Sequence, residues 1–520
     1  MDMFIKLSML IVFFGVMAGV GLYCRKHATD VNGFVLGGRS VGLWLTAFAY
    51  GTSYFSAVVF VGYAGQFGWK YGIAATWAGI GNAFLGSLLA WAVLGRRTRV
   101  MTQHLASATM PQFFERRFQS KALKLAASAV IFLFLIPYTA SLYNGLSRLF
   151  GMAFDIDYAV CVIVMAVLTG VYVIAGGYMA TAINDFIQGI IMIVGIIAVI
   201  AAVLHSQGGF LEALNKLGQV TDPLVSTTPG VFNSFFGPDP GNLLGVVLLT
   251  ALGTWGLPQM VQKFYAIKSE QAINKGMIIS TVFAMIVAGG CYFLGGFGRL
   301  FTEQIGVTEA GVPVGGYDAV IPTMLSGLPT VLIAVVVILV LSASMSTLSS
   351  LVLASSSTLT LDFIKGSVIK DMDEKKQIRW IRGLIMVFIA ISVVLAILQY
   401  KSSVTFIAQL MGVSWGALAG AFLAPFLFGL YWKKATAASC WASFLFSTVV
   451  MLANTVAKPL FPAMLQSPIN AGAFCMIAGL MIVPVVSLFT KKPDEAHLTD
   501  VFSCYDAPVT VTAKHSLTRH

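Results

Sequence analysis

The chain has 520 residues, 58% of them hydrophobic and only 10% charged, and its 32 Lys and Arg against 21 Asp and Glu give a formal net charge of +11. A soluble globular chain is roughly 45–50% apolar and about 25% charged, so a soluble enzyme, a disordered protein and a nucleic-acid binder are excluded. What remains is a polytopic membrane protein: a transporter, channel, receptor or intramembrane enzyme. The basic excess needs no acidic partner, because Lys and Arg collect in the cytoplasmic loops of membrane proteins.

A membrane-crossing helix needs about 20 mostly apolar residues. Runs of that kind fall at about 3–23, 43–65, 73–95, 123–149, 157–176, 180–204, 241–265, 274–300, 329–356, 380–399, 403–430, 435–457 and 470–489. In chain order these are helix 0 to helix 12, which makes the expected fold an all-α polytopic membrane protein of about thirteen transmembrane helices. The first run carries only Asp2 and Lys6 near its start and lacks a small-x-small cleavage site, so it reads as a retained helix rather than a signal peptide. With the N-terminus outside and the C-terminus in the cytoplasm, 25 of the 32 Lys and Arg fall on the inside, among them Arg39, Arg97, Arg117 and Lys263. The reverse orientation inverts that ratio, so N-out, C-in is expected.

Residues 1–490 read as a single transport domain and 491–520 as a polar, disordered cytoplasmic tail. Two outside loops are long, at about 205–240 and 301–328. The six cysteines, Cys24, Cys161, Cys291, Cys440, Cys475 and Cys504, form no CxxC pair and sit mostly in apolar runs. They read as small hydrophobes, with no transition-metal site.

Polar groups at hydrocarbon depth are costly and are candidates for function. Helix 1 reads Ala47-Phe48-Ala49-Tyr50-Gly51-Thr52-Ser53-Tyr54-Phe55-Ser56-Ala57. Its glycine and hydroxyls weaken a regular helix; a break there would offer carbonyls to a cation and a half-helix N-terminus to an anion. The same small residues also serve close helix packing. In helix 8, Ala343, Ser346, Thr347 and Ser350 share one face at i, i+3, i+4 and i+7. Their hydroxyls are hard ligands suited to Na⁺, or they bond between helices. Asp185, in helix 5, is the one acid well inside a predicted span. It binds a cation, takes a proton or caps backbone. Helix 6 carries Gly253-Thr254-Trp255-Gly256-Leu257-Pro258-Gln259, where a proline beside two glycines kinks or breaks the helix.

These residues resemble the sodium:solute symporter family. The likeness rests on Phe34-Val35-Leu36-Gly37-Gly38-Arg39-Ser40 before helix 1, on Gly176-Gly177-Tyr178 with Asn184-Asp185-Phe186-Ile187-Gln188 at helix 5, and on Met345-Ser346-Thr347-Leu348-Ser349 running into Leu361-Asp362-Phe363. It extends from about residue 5 to 490. The resemblance implies a LeuT-type core of five-plus-five inverted repeats, about 43–204 and 241–430, with helices 1 and 6 discontinuous. The helices at 3–23, 435–457 and 470–489 would be peripheral. It implies one Na⁺ site built from Thr52, Phe55, Ala343, Ser346 and Thr347. Some members carry a second Na⁺, whose oxygens fall here on Asp185, Ser346, Ser349 and Ser350. The proline-transporting branch has an Asp in the helix 1 break where this chain has Tyr54; the pattern around it is similar to the pantothenate and monocarboxylate branches.

The implied function is secondary active transport: Na⁺-coupled symport of a small polar organic solute, an amino acid or small carboxylate, into the cell. Tyr54, Ser56, Asn82, Tyr138, Trp255, Gln259 and Gln409 are the candidate substrate-binding residues, each equally usable for ordinary packing. Proton coupling through Asp185 is the alternative for the ion, and a solute sensor without transport is the alternative for the protein. An intramembrane enzyme is disfavoured, because all six histidines lie in loops or tails. The partners expected are Na⁺, a small molecule and the lipid of a plasma membrane, bacterial inner membrane included. No cofactor is expected.

Overall fold

In the computed structural model, which describes residues 2–25, 30–154, 157–369, 371–402 and 407–506, the regular elements are helices and no strand forms among those residues. Ten helices are long and apolar enough to cross a bilayer, or eleven when the bent pair Pro240–Gly256 and Pro258–Tyr265 counts as one span. Two features separate this number from the expected thirteen. Helix 1 is cut in two, Leu43–Tyr54 and a second half starting at Val58. That second half turns at Gly72 (φ +60°) directly into helix 2, so Val58–His104 is one apolar stretch. Helices 4 and 5 likewise form one run, Tyr158–Ser206, interrupted at Gly177.

Gly177 shows why glycine is required there. Its φ is +56°, and a Cβ on it would lie 2.7 Å from the Phe34 carbonyl oxygen. Side chains avoid that backbone region and could not fit that approach. The Gly-Gly-Tyr motif is therefore a corner against the segment that precedes helix 1.

Helices 8 (Thr330–Thr358) and 10 (Ile407–Tyr431) form the centre, with 78% and 83% of their apolar windows buried. Helices 0 (Asp2–Cys24) and 9 (Glu374–Ser402) lie outside, at 22% and 33%. Helices 11 (Ala437–Val456) and 12 (Pro468–Phe489) pack on helix 10. Their outer faces are apolar, as lipid contact requires. Helix 3 spans Lys121–Phe154, and helix 7 starts at Glu270.

The segment before helix 1 closes one end of the bundle. Gly37, Gly38 and Arg39 all adopt positive φ, which turns the chain sharply. Arg39 is buried and donates to Thr102 Oγ1 (3.3 Å), Tyr265 O (3.1 Å) and Ser107 O. Val41 N donates to Ala266 O and Lys268 N to Val41 O. The start of helix 1, the end of helix 2 and the end of helix 6 are thereby tied together. Burial lowers the Arg39 guanidinium to about 10, so it stays a cation at neutral pH.

The C-terminal tail departs from the expected disorder. Glu495–Ser503 is a helix capped by Asp494, whose carboxylate accepts from His497 N (2.9 Å). Val501 and Phe502 are buried. The Arg97 guanidinium sits between the Tyr431 and Tyr505 rings at 3.9 and 4.5 Å, and Arg117 lies 5.0 Å from the Phe502 ring. Cation–π contacts onto arginines of the helix 2–3 region supply the order that composition alone did not announce. Residues 507–520 of the tail lie outside the described residues.

Candidate sodium and substrate site

Helix 1 breaks where its hydroxyls compete with its own backbone. Thr52 Oγ1 donates to Phe48 O (2.8 Å) and Ser53 Oγ to Ala49 O (2.5 Å), a back-bonding that bends helices. Phe55 is then extended (φ −87°, ψ 123°). The second half starts under two serines: Ser56 Oγ accepts from Val58 N and Ser344 Oγ from Ala57 N, both at 3.2 Å.

The break turns two backbone carbonyls toward helix 8. Thr52 O lies 3.0 Å from Ser346 Oγ and 3.3 Å from Thr347 Oγ1, and Phe55 O lies 3.1 Å from Thr347 Oγ1. Ala343 O lies 3.1 Å from both hydroxyl oxygens, each of which has one proton to give among these carbonyls. Three carbonyls and two hydroxyls thus converge from two elements about 290 residues apart. All five residues are at most 1% exposed. This oxygen set is neutral, hard and dry, the chemistry that suits a hard cation such as Na⁺ and disfavours a soft metal.

The other helix 8 residues behave differently. Ser349 Oγ and Ser350 Oγ both donate to Ser346 O, at 2.9 and 3.1 Å. Ser350 Oγ also lies 3.1 Å from Ser53 Oγ. Asp185 does not stand alone among oxygens. Lys263, on the second half of helix 6, places its Nζ 3.4 Å from Asp185 Oδ2 and 3.0 Å from Ser350 Oγ. Sequence reasoning missed Lys263 by counting it with the cytoplasmic charges. The available signal was a cation inside the predicted boundary of a span.

Helix 6 breaks at Leu257 (φ −75°, ψ 124°), with Pro258 starting the second half and a bend of 46°. One turn beyond the break, Gln259 is buried, and neither its Oε1 nor its Nε2 finds a hydrogen-bond partner. Asn82 Oδ1 is buried and unpartnered in the same way, whereas the buried Tyr138 hydroxyl pairs with Trp415 and Ser56. Tyr138, from helix 3, meets Trp415 of helix 10 edge-on at 5.9 Å, and its hydroxyl neighbours Ser56. Trp415 was not read from the sequence; a tryptophan in the middle of a small-residue span was the signal.

Not every candidate joins this cluster. Trp255 Nε1 donates to Leu85 O (2.9 Å), and Thr254 Oγ1 and Tyr50 Oη both donate to Gly86 O (2.8 Å each). Trp255 is therefore committed to fastening helix 6 onto helix 2. Gln409 is half-buried in the first turn of helix 10, nearly two turns before Trp415. Tyr54 ends the first half of helix 1, and its side chain lies outside the described residues.

The remaining motif residues resolve into ties between helices. Asn184 Nδ2 reaches Met17 O at 3.5 Å and Gln188 Nε2 reaches Met17 Sδ at 3.3 Å, which holds helix 0 on helix 5. Asp362 accepts from Thr109 Oγ1 (2.6 Å) and Gln112 Nε2 (2.7 Å), which anchors the short helix Met110–Phe118.

The family model for the sodium:solute symporter family matches residues 34–446. The chain belongs to the sodium:solute symporter family. Among its relatives is a sodium/proline symporter of Staphylococcus aureus, 30% identical over 95% of this chain and 94% of that one. Sodium/proline symporter 2 of Staphylococcus saprophyticus is 29% identical, covering 93% of each chain. The osmoregulated proline transporter OpuE of Bacillus subtilis is 27% identical over 93% of this chain and 95% of its own. A solved Na⁺-coupled sialic acid symporter, in a substrate-bound outward-open state, shares the fold with a TM-score of 0.71 at 17% identity, over 94% of this chain and 99% of that one. This member of the family is a sodium-coupled solute symporter of the plasma membrane, a carrier rather than an enzyme.

Proposed function

We propose that this symporter carries a small carboxylate-bearing solute, an amino acid or monocarboxylate, into the cell together with Na⁺ held by Thr52 O, Phe55 O, Ala343 O, Ser346 Oγ and Thr347 Oγ1. The observation that carries this reading is the convergence of those five buried oxygens across the helix 1 break. Na⁺ there clamps helix 8 to helix 1. Separating the two helices opens the cage and releases the ion, so the ion's affinity differs between states, which is what coupling requires. One Na⁺ moving down 100 mV contributes about 2.3 kcal/mol.

The solute lies between the two breaks, against Ser56, Tyr138, Trp415 and Gln259, with Tyr54, Asn82 and Gln409 at its margins. The buried Gln259 amide, with no partner for either its oxygen or its nitrogen, supports this placement, since such a group costs free energy until something bonds to it. That cluster holds amides, hydroxyls and an indole but no charged side chain, so a solute carboxylate relies on hydroxyls and on the start of a half-helix. The relatives named for proline make proline the first compound to test, although Tyr54 stands where the proline branch has an acid.

The transport domain is residues 1–490, with the N-terminus outside and the tail inside. Its core is a pair of inverted repeats at about 43–204 and 241–430. Helices 1 and 6, which begin the two repeats, each break at one extended residue with nearly the same ψ (123° and 124°). That match supports a thirteen-span arrangement with peripheral helices 0, 11 and 12.

Thermal unfolding in NaCl against choline chloride, with a panel of proline, other amino acids, monocarboxylates, pantothenate and sugar acids, tests the reading. A ligand at 100 times its Kd stabilises by about 2.7 kcal/mol. A panel member that stabilises only with Na⁺ present is the expected result. Equal unfolding in both salts, with and without every compound, overturns it.

A further inference from the structure

Asp185 and Ser350 are two of the oxygens that a second Na⁺ would use, yet a cation of the chain itself stands between them. Lys263 Nζ is 3.4 Å from Asp185 Oδ2 and 3.0 Å from Ser350 Oγ, and it lies 5.2 Å from the centroid of the Tyr178 ring. The two side chains are 3% and 0% exposed. A carboxylate, a hydroxyl and an aromatic face are three groups that stabilise an ammonium. They come from helix 8 and from the two ends of the helix 5 motif. Asp185 Oδ1 makes no hydrogen bond. Among the described residues the ion pair of Asp185 is with Lys263, one carboxylate to one ammonium. A mobile Na⁺ bound to Asp185 would sit within a few ångströms of the ammonium, in a medium that screens poorly.

We propose that Lys263 is a tethered cation that fills the second cation site of this symporter, so that one Na⁺, not two, accompanies each solute. The proposal rests on the helix 1–helix 8 reading for the first ion and adds the stoichiometry. It also gives helix 6 a role in coupling. Gln259 and Lys263 are four residues apart and share one face of the second half-helix. The residue with the unpartnered buried amide and the residue that neutralises Asp185 therefore move as one body.

The test counts Na⁺ directly and needs no solute. Binding of ²²Na⁺ to the purified full-length protein is measured to saturation for the wild type, for Lys263→Gln, and for Lys263→Gln combined with Asp185→Asn. The expected result is that Lys263→Gln binds one more Na⁺ per chain than the wild type and that the extra ion is absent in the double variant. No extra ion in a folded Lys263→Gln protein overturns the proposal, because the ammonium is then not what excludes Na⁺. Should Lys263→Gln fail to fold, the wild type alone decides: a count of one with a Hill coefficient near one agrees, and a count of two overturns it. Thr347→Ala, made beside these, weakens the first ion only. If it leaves wild-type Na⁺ binding unchanged while Lys263→Gln still gains an ion, the helix 1–helix 8 reading fails and the Lys263 assignment stands.

Discussion

At the scale of single residues, backbone oxygens and side-chain oxygens were legible to very different degrees. Ala343, Ser346, Thr347 and Ser350 could be placed on one face from spacing alone, and two of those four, Ser346 and Thr347, reach the carbonyls of the helix 1 break. The Thr52 and Phe55 carbonyls carry no residue signature, since every residue has one; they entered through family resemblance and depend on where the helix stops. Replacing Ser346 and Thr347 together with Ala is expected to raise the Na⁺ concentration for half-maximal uptake at least tenfold, about 1.4 kcal/mol. An unchanged Na⁺ dependence in a variant that still transports removes these hydroxyls from the ion site. Lys263 was the residue least accessible to sequence reasoning. It lies 78 positions from Asp185, and a charge count that scores loops treats a lysine at a span's edge as a topology signal. Its pairing with Asp185 distinguishes it from Arg39, Arg99 and Arg117, which are buried at the bundle's end as well.

At the scale of elements, the helices divide by how closely their backbones approach. A Cβ on Gly68, in the second half of helix 1, would lie 1.9 Å from Gly295 O on helix 7, and one on Gly295 would lie 2.1 Å from Ala64 O. Such contacts let two helices touch along their backbones, which in a bilayer substitutes for the hydrophobic drive that lipid removes. Gly68→Ala is therefore expected to lower stability by about 3 kcal/mol or more, through overpacking that cannot relax into a side chain. Gly15→Ala in helix 0, where nothing lies within 4 Å of the new Cβ, is the matched control; it should be neutral or gain up to about 1 kcal/mol in helix propensity. Equal melting temperatures for the two variants would show that the helix 1–helix 7 contact does not limit stability. The expected helix boundaries were good to a few residues where a loop separates spans. At Gly72 and Gly177 the expected gaps between spans contain the turn itself, which takes one glycine rather than a loop.

At the scale of the molecule, the tail is part of the structure rather than an appendage. Phe502 and Tyr505 cover Arg117 and Arg97 and join the end of helix 10 to the region between helices 2 and 3. Phe502→Ala with Tyr505→Ala should lower stability by about 1–3 kcal/mol, the sum of a few partly exposed cation–π contacts, measured by thermal unfolding in NaCl. An unchanged transition would mean the tail helix docks without contributing. The opposite face holds a polar cavity of about 630 Å³ beside Gln66, Lys70, Asp222, Asp239 and Arg299. It is bounded by the two long loops, and Asp222 of the first pairs with Arg299, at the end of the helix 7 span, at 2.9 Å.

Sequence by itself determined the class of the molecule, the positions of most of its spans and the face of helix 8 that carries hydroxyls. It could do so because the bilayer imposes a local rule: each crossing must be about 20 apolar residues with its backbone satisfied internally. The break in helix 1 was also visible, since glycine and hydroxyls weaken a helix where they stand. Tertiary structure alone decided which groups those breaks and faces meet. Lys263 against Asp185, Trp415 against Tyr138 and the tail against Arg97 are each set by how helices pack. Packing among uniformly apolar helices leaves almost no periodic trace, because the lipid-facing side and the buried side of a span are equally hydrophobic.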